Sequence, residues 1–280
     1  MGARLVRALP PGPRYSLWAA GGAVWYTLSR GQRRAALDNY SAVLGFPRDD
    51  PRVARTARAA FRNYGKMLAD FLLIGSLPPE ELPGRLSVDG QEHANRVVLA
   101  GEGGILALPH MGSWDFAGAL GPVLGYGLSA VAETFPGSLD EAVVEARSLL
   151  GLDIIPLGRA AVRAINQRLD QGQLVALLCD LPPPGGVGVE VSFFGKRAVV
   201  PSGPAAIAIK RQVPLLPVFS RRDAPGHYHV HVDSPVAPPD VDAVGRREAP
   251  AVMMQRVMER FERFIRAYPE QWYAFKPVLR

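Results

Sequence analysis

A series of short apolar segments, separated by segments of helical pattern, constrains the fold more than any other feature. Most of these segments are unbroken apolar runs, which is typical of strands buried on both faces of a parallel sheet. They begin at Ile105, Leu128, Asp153, Leu174, Val189, Pro214 and His227. The helices predicted between and after them cover residues 114–124, 139–150, 159–171, 203–211 and 248–267. The pattern predicts an α/β fold with a mostly parallel central sheet flanked by helices.

The chain before this series has a helical pattern up to about Gly75. One helix is expected to end at Gly45, a residue suited to a C-cap, and the next to begin with Asp50 and Pro51. The Pro-rich stretch SLPPEELPG then indicates a linker. We therefore predict a helical, membrane-associating segment over residues 1–76 and an α/β domain over residues 77–280.

The membrane expectation comes from residues 15–29, YSLWAAGGAVWYTLS. This segment is shorter than the ~20 apolar residues of a spanning helix, and it is flanked by arginines. Trp18, Trp25 and Tyr26 are of the types enriched at membrane interfaces. A helix on a membrane surface and a helix packed on the domain are both compatible with the pattern. We expect no secretory signal, because a continuous apolar core and a cleavage site are missing.

The formal net charge of +6 over 280 residues favours an anionic partner, such as phospholipid headgroups, a phosphate-bearing cofactor or nucleic acid. Nucleic acid is supported by charge alone, since we find no recognition motif for it. The one cysteine, Cys179, excludes an internal disulfide and is predicted to be a buried strand residue. His227, His229 and His231 would share one strand face, but no cysteine or spaced carboxylate completes a set of metal ligands, so we expect no metal site.

The chemistry-bearing stretch is HMGSWD, which follows the apolar run ILALP. Ligands of parallel sheets bind outside the carboxyl ends of the strands, where this stretch lies. Gly112 permits a tight turn and Ser113 is suited to an N-cap, so Asp115 is expected in the first turn of the next helix. In that position Asp115 would orient the imidazole of His110 and leave its other nitrogen as a general base.

A nucleophilic residue for this base is not evident, because the chain contains no G-x-S-x-G elbow. The base would then activate an incoming group, such as a substrate hydroxyl. This favours direct group transfer over a covalent enzyme intermediate. Backbone N–H groups at the helix start after Gly112 are candidates for stabilising the oxyanion.

HMGSWD resembles the H-x4-D motif of glycerolipid and lipid A type acyltransferases. The similarity is closest to the branch of bacterial lipid A late acyltransferases and actinobacterial phosphatidylinositol mannoside acyltransferases. Those usually read H-x-G-N-W-D, so Ser113 replaces Asn here. The segments LSAVAET, LGLDIIPL, GQLVALLCD, GVEVSFFGK, VVPSGPAAIAIK and YPEQWYAFKPV follow in the expected order. The resemblance covers nearly the whole chain.

The resemblance implies roles for individual residues. His110 would be the base, Asp115 its partner, and Glu190 a third acidic residue near the acceptor. Asp180 resembles the start of an aspartate-containing loop at a strand end, and we group it with the substrate-binding residues. The full set of predicted substrate-binding residues is Gly112, Ser113, Trp114, Asp180, Arg159, Arg163, Lys196, Arg197 and Ser202.

The basic members of this set are candidates for phosphate contacts. Related sequences commonly carry Arg where Thr134 stands, so Arg159 or Arg163 is expected to replace that contact. Lys196 and Arg197 flank the FFG segment and would meet phosphates of the acyl donor. The alternative is that these are solvated surface charges.

The predicted function is O-acyl transfer from acyl-CoA or acyl-ACP to a hydroxyl of a membrane glycolipid, such as a phosphatidylinositol mannoside. The thioester is a co-substrate, and no cofactor is expected. The expected location is the cytoplasmic face of the inner membrane, as a peripheral protein on an anionic surface. Two alternatives remain: a non-catalytic lipid-surface protein that retains the fold, and a lipid A or lysophospholipid acyltransferase with a different acceptor.

Overall fold

The central sheet has seven strands in the computed structural model, which describes residues 10–74, 77–133, 147 and 151–279. The strands of the sheet are β1 (Leu86–Asp89), β2 (Gly104–Leu108), β3 (Leu128–Ala132), β4 (Asp153–Pro156), β5 (Leu174–Leu178), β8 (Leu215–Ala224) and β9 (His227–Val232). Their order is β1-β9-β8-β2-β5-β3-β4, and the only antiparallel neighbours among them are β8 and β9. The predicted, mostly parallel α/β fold is confirmed. Strands β6 (Val189–Phe193) and β7 (Lys196–Val200) form a separate antiparallel hairpin.

Three of the described α-helices precede the first strand, and the others lie between the strands or follow the last one. They are α1 (Pro11–Leu28), α2 (Arg30–Leu44), α3 (Pro51–Ile74), α4 (Gln91–Ala100), α5 (Trp114–Val123), α6 (Ala161–Asp170), α7 (Gly203–Arg211), α8 (Val241–Val244) and α9 (Ala249–Ala267). The helix predicted over residues 139–150 falls outside the described residues except for Arg147, which is helical. Strands β1 and β7 and helix α4 were not predicted, because their short or largely polar sequences lack a strong apolar period.

Helix α1 packs closely on α3 through small residues. Tyr15, Ala19, Gly22 and Tyr26 form its buried face. A Cβ on Gly22 would overlap the carbonyl oxygen of Phe61 in α3, so the two backbones touch at this point. A Cβ on Gly65 of α3 would likewise overlap the carbonyl oxygen of Trp18.

The opposite face of α1 is apolar and open to solvent. Leu17, Val24 and Leu28 are 56%, 55% and 74% exposed. Trp25, by contrast, lies against Phe61 and Phe275, with ring centroids 4.6 and 5.0 Å apart. The helix is thus packed on the domain and still presents an apolar surface. None of the helices described is both long and apolar enough to cross a membrane.

The N-terminal helices and the α/β part share an apolar core. Tyr40 and Phe61 belong to the same buried cluster as Ile105 and Trp272. Asn39 of α2 binds the C-terminal segment: its amide donates to the carbonyl oxygens of residues 274 and 276 at 2.9 and 2.8 Å. The helical segment therefore helps to position the last residues of the chain, which reach the site described next.

Candidate active site

The register of two adjacent strands brings His110 and Asp180 together. Strands β2 and β5 pair in parallel, with Leu108 opposite Leu178. His110 and Asp180 each follow two residues after these partners, at the carboxyl edge of the sheet. The imidazole Nδ1 lies 2.6 Å from Asp180 Oδ1. A histidine with a carboxylate on one nitrogen has its tautomer fixed, so Nε2 is left as a proton acceptor.

Asp180 is completely buried and its second carboxylate oxygen is also engaged. The indole Nε1–H of Trp272 donates to Oδ2 at 2.7 Å. The His110 side chain, in contrast, is 26% exposed, so it reaches the surface while its partner does not. A buried carboxylate held by two donors keeps a fixed position, which is what an orienting group requires. Asp180 was grouped with the substrate-binding residues; in the structure its carboxylate contacts His110 and Trp272.

The C-terminal segment forms the wall behind the histidine. The N–H of Tyr273 donates to the His110 carbonyl at 2.8 Å, and the N–H of Gly112 donates to the Gln271 carbonyl at 3.0 Å. The hydroxyl of Tyr40 donates a hydrogen bond to the Trp272 carbonyl. The sequence did not single out Trp272 as a residue of the site. Its only signal was the concentration of aromatic residues in QWYAF.

Asp115 has a different partner from the one expected. Its carboxylate accepts from Arg147 Nε at 2.7 Å, and both side chains are largely buried. Burial raises the pKa of Asp115, while the Arg147 guanidinium opposes this shift. The carboxylate on the imidazole is that of Asp180 and not that of Asp115. This corrects the pairing expected from spacing, because the ring of His110 turns toward the neighbouring strand rather than along its own chain.

The turn after His110 is built as predicted. Gly112 has φ +61°, and a Cβ there would overlap the Ser220 carbonyl, so only glycine fits. Ser113 is buried, and its Oγ accepts from the N–H of Phe116 at 3.4 Å, as an N-cap does. The ring of Trp114 packs edge-on against the His110 ring, with centroids 5.5 Å apart.

Most N–H groups at this helix start are already occupied. The N–H of Gly112 binds the Gln271 carbonyl, and that of Ser113 binds Ser220 Oγ at 3.2 Å. The N–H of Phe116 binds the Oγ of Ser113. No described residue accepts the N–H of Trp114, which leaves it as the candidate donor to an oxyanion.

The β6–β7 hairpin carries Glu190 on its solvent face. The side chain is 61% exposed, and its ionic partner is Arg197, with Nε 3.7 Å from Oε2. Lys196 is exposed as well. The opposite face of the hairpin packs Phe193 against Trp272, with ring centroids 5.8 Å apart. The structure therefore joins the hairpin to the site through its apolar face and not through Glu190.

The remaining predicted substrate-binding residues form no hydrogen bond or ion pair with His110. Arg159 and Arg163 are exposed, Arg159 just before α6 and Arg163 in its first turn. Ser202 precedes α7 without capping it.

The histidines of β9 form no metal site among the described residues. His229 binds Asp89 and Ser87, each at 2.9 Å. The described residues contain no cluster of three histidine, cysteine or acidic side chains that could hold a metal.

Comparison with known proteins gives consistent results over the whole chain. A family model described as bacterial lipid A biosynthesis acyltransferase matches residues 1–280. The phosphatidylinositol mannoside acyltransferase of Mycolicibacterium smegmatis is 30% identical, over 99% of this chain and 88% of that protein. The phosphatidylinositol mannoside acyltransferase of Mycobacterium tuberculosis strain H37Rv is 29% identical, over 85% of this chain and 74% of that protein.

Proposed function

The chain belongs to the family of bacterial lipid A biosynthesis acyltransferases and is a lipid acyltransferase; from this premise we propose that His110 is its general base. The proposed reaction moves a fatty acyl group from acyl-CoA or acyl-ACP to a hydroxyl of a membrane glycolipid. A phosphatidylinositol mannoside is the proposed acceptor, because the curated relatives carry that name. A lipid A precursor is the second candidate, because the family description refers to lipid A.

The proposed mechanism rests on the hydrogen bond between His110 and Asp180. Nε2 of His110 removes the proton from the acceptor hydroxyl, and the oxygen attacks the thioester carbonyl. Asp180 holds the Nδ1–H tautomer and stabilises the imidazolium that forms. The tetrahedral intermediate then collapses, the C–S bond breaks, and the departing thiolate takes the proton from Nε2. Products are the ester and the free thiol, with His110 restored.

Other residues of the site have supporting roles in this proposal. The N–H of Trp114 donates to the oxyanion, and the Asp115–Arg147 pair holds the first turn of α5, which presents that N–H. Glu190 remains the proposed contact for the acceptor, since its carboxylate is exposed. The proposed donor-phosphate contacts are the exposed or half-buried residues Arg159, Arg163, Lys196, Arg197 and Ser202. The mechanism requires no cofactor beyond the thioester substrate.

The proposed location is the cytoplasmic face of the inner membrane, as a peripheral protein. The net charge of +6 suits that leaflet, which is anionic. The exposed apolar side chains of α1 support contact with lipid. Such a location brings the enzyme to an acceptor that moves only in the plane of the membrane.

The test is the variant H110A, assayed with acyl-CoA and with acyl-ACP against a mannosylated phosphatidylinositol and a lipid A precursor. We expect loss of product by at least ~10²-fold, the lower end of what a general base contributes. The matched control H93A removes a histidine on α4 whose polar contacts are with Glu92 and Arg96, and it should keep activity. Equal rates for H110A and the unmodified chain would refute the proposed mechanism. A folded H110A protein that still binds vesicles separates loss of chemistry from loss of structure.

A further inference from the structure

The outer face of α3 carries a groove of about 580 Å³ whose charged lining residues are all basic. They are Arg55, Arg58, Arg62 and Lys66, which recur every three or four residues along the helix. This spacing places them on one side of α3.

These cations form no ion pair with a described residue. No carboxylate of a described residue lies within 4.0 Å of the four side chains, whereas Arg48 and Arg52 at the start of this region each pair with an aspartate. The one acidic residue of α3 is Asp70, which is buried and bound by Tyr15 and Tyr228. Partial burial and the charges of Arg222 and Arg62 lower the pKa of Lys66.

A second groove, on α9, provides a comparison within the same molecule. It contains Arg256, Arg260 and Arg263, but Glu259 also lines it. Arg263 is paired with Asp233 at 3.1 Å. The charge of α9 is therefore partly neutralised by the protein itself. The charge of the α3 groove is left for a ligand.

The α3 groove borders α1 on the side of that helix that packs on α3. The guanidinium carbon of Arg58 lies 5.5 Å from the ring centre of Tyr26 in α1. The Cα of Arg62 is one of the backbone atoms that a side chain on Gly22 would meet, at 3.0 Å. Cationic and exposed apolar side chains thus occur on adjacent helices, which is the combination that binds anionic lipid surfaces.

We propose that the α3 groove binds the phosphate groups of anionic phospholipids in a membrane surface while Leu17, Val24 and Leu28 of α1 enter the acyl boundary; this rests on the proposed function. From Arg55 to Lys66 the helix rises about 16 Å. A single phosphate cannot contact side chains spread over that length, but a row of headgroups can.

The groove is also connected to the active site. Asn63, which lines it, donates to the Glu270 carbonyl at 2.9 Å. The next residue, Gln271, accepts from the N–H of Gly112 in the His110 turn. Docking through α3 therefore holds the membrane at a defined position relative to His110.

The experiment is sedimentation of the full chain with vesicles of phosphatidylcholine, alone and mixed with phosphatidylglycerol. The variant R55Q/R62Q should bind the mixed vesicles roughly 30-fold more weakly, the equivalent of about 2 kcal/mol for two cations near an anionic surface. The matched control R256Q/R260Q removes the same charge from the α9 groove and should bind like the unmodified chain. Equal loss in both variants would overturn the proposal, since net charge would then explain binding.

The apolar contribution has its own variant. L17Q/L28Q should weaken the part of binding that persists at high salt, because hydrophobic insertion is not screened. The control is L99Q, which replaces a leucine that is 85% exposed on α4 and should have no effect. An equal loss with L99Q would count against insertion of α1.

A soluble ligand is the competing occupant. Inorganic phosphate, added at constant ionic strength, should not release the protein from mixed vesicles. Release would assign the groove to a free phosphate and overturn the lipid proposal.

Thioester consumption in neutral detergent distinguishes this proposal from the proposed function. The variant R55Q/R62Q should keep thioester consumption, and H110A should lose it. If the unmodified chain showed no thioester consumption, the proposed function would fail while the vesicle result stood.

Discussion

At the scale of single residues, the site depends on which carboxylate the imidazole contacts. Asp115 is five residues from His110, and Asp180 is seventy residues away. In the structure His110 pairs with the distant residue. Strands β2 and β5 are neighbours, and Leu108 lies opposite Leu178, so that the residues two positions later, His110 and Asp180, are brought together. Asp115 instead neutralises Arg147. We therefore expect the two aspartates to have separable functions, Asp180 in orienting His110 and Asp115 in holding the first turn of α5.

The first prediction concerns D180N. An amide cannot accept from both His110 and Trp272 through equivalent oxygens, so the Nδ1–H tautomer is no longer enforced. We expect kcat to fall by about 10²- to 10⁴-fold, the range of a general base that has lost its function. The measurement is steady-state acyl transfer, with circular dichroism to confirm that the variant is folded.

The control for D180N is D115N. Removing the Asp115 charge leaves Arg147 buried without its partner, which costs about 3–5 kcal/mol when a buried pair is broken. D115N should therefore lower the free energy of unfolding in urea. If D115N abolished turnover without loss of stability, while D180N kept full activity, Asp115 would be the orienting residue after all.

At the scale of elements, close backbone contact decides how α1 lies on α3. The adjacent residues Gly21 and Gly22 differ only in direction: a Cβ on Gly21 meets nothing within 4 Å, and one on Gly22 meets the backbone of Phe61. Neither has a special backbone conformation, as both are helical. Alanine substitutions at these two positions therefore separate the effect of helix propensity from that of helix packing.

The second prediction uses this pair. G21A should raise the free energy of unfolding by about 1 kcal/mol, because alanine is the better helix former. G22A should lower it by about 1–3 kcal/mol, because the added methyl group forces the helices apart. Urea unfolding of both variants is the measurement. Stabilisation by G22A would show that α1 does not pack on α3 as described.

At the scale of the whole molecule, buried phenols join the N-terminal helices, the sheet and the C-terminal segment. Burial raises the pKa of five tyrosines above the ordinary value of about 10. They are Tyr15, Tyr40, Tyr64, Tyr228 and Tyr273. A phenol with a raised pKa in the folded state contributes stability that is fully present below its unfolded pKa and is lost as pH rises through the folded pKa.

The third prediction follows from that sign. The contribution of these groups to stability should be constant below pH about 10 and should fall above it, because the unfolded chain then releases protons that the folded chain retains. Tyrosinate absorbance and near-ultraviolet circular dichroism should change together in an alkaline titration. Reversible ionisation of all the tyrosines with intact circular dichroism would contradict the shared core.

The sequence by itself determined the class of the fold and the family. Apolar period distinguishes strands from helices locally, and the residues His110, Gly112, Trp114 and Asp115 carry a local motif, so both can be read without coordinates. The tertiary structure decided which groups meet: Asp180 and Trp272 at the imidazole, Arg147 at Asp115, and an uncompensated basic groove on α3. These contacts join residues far apart in the chain, and their existence depends on strand order and helix packing, which local periodicity does not encode.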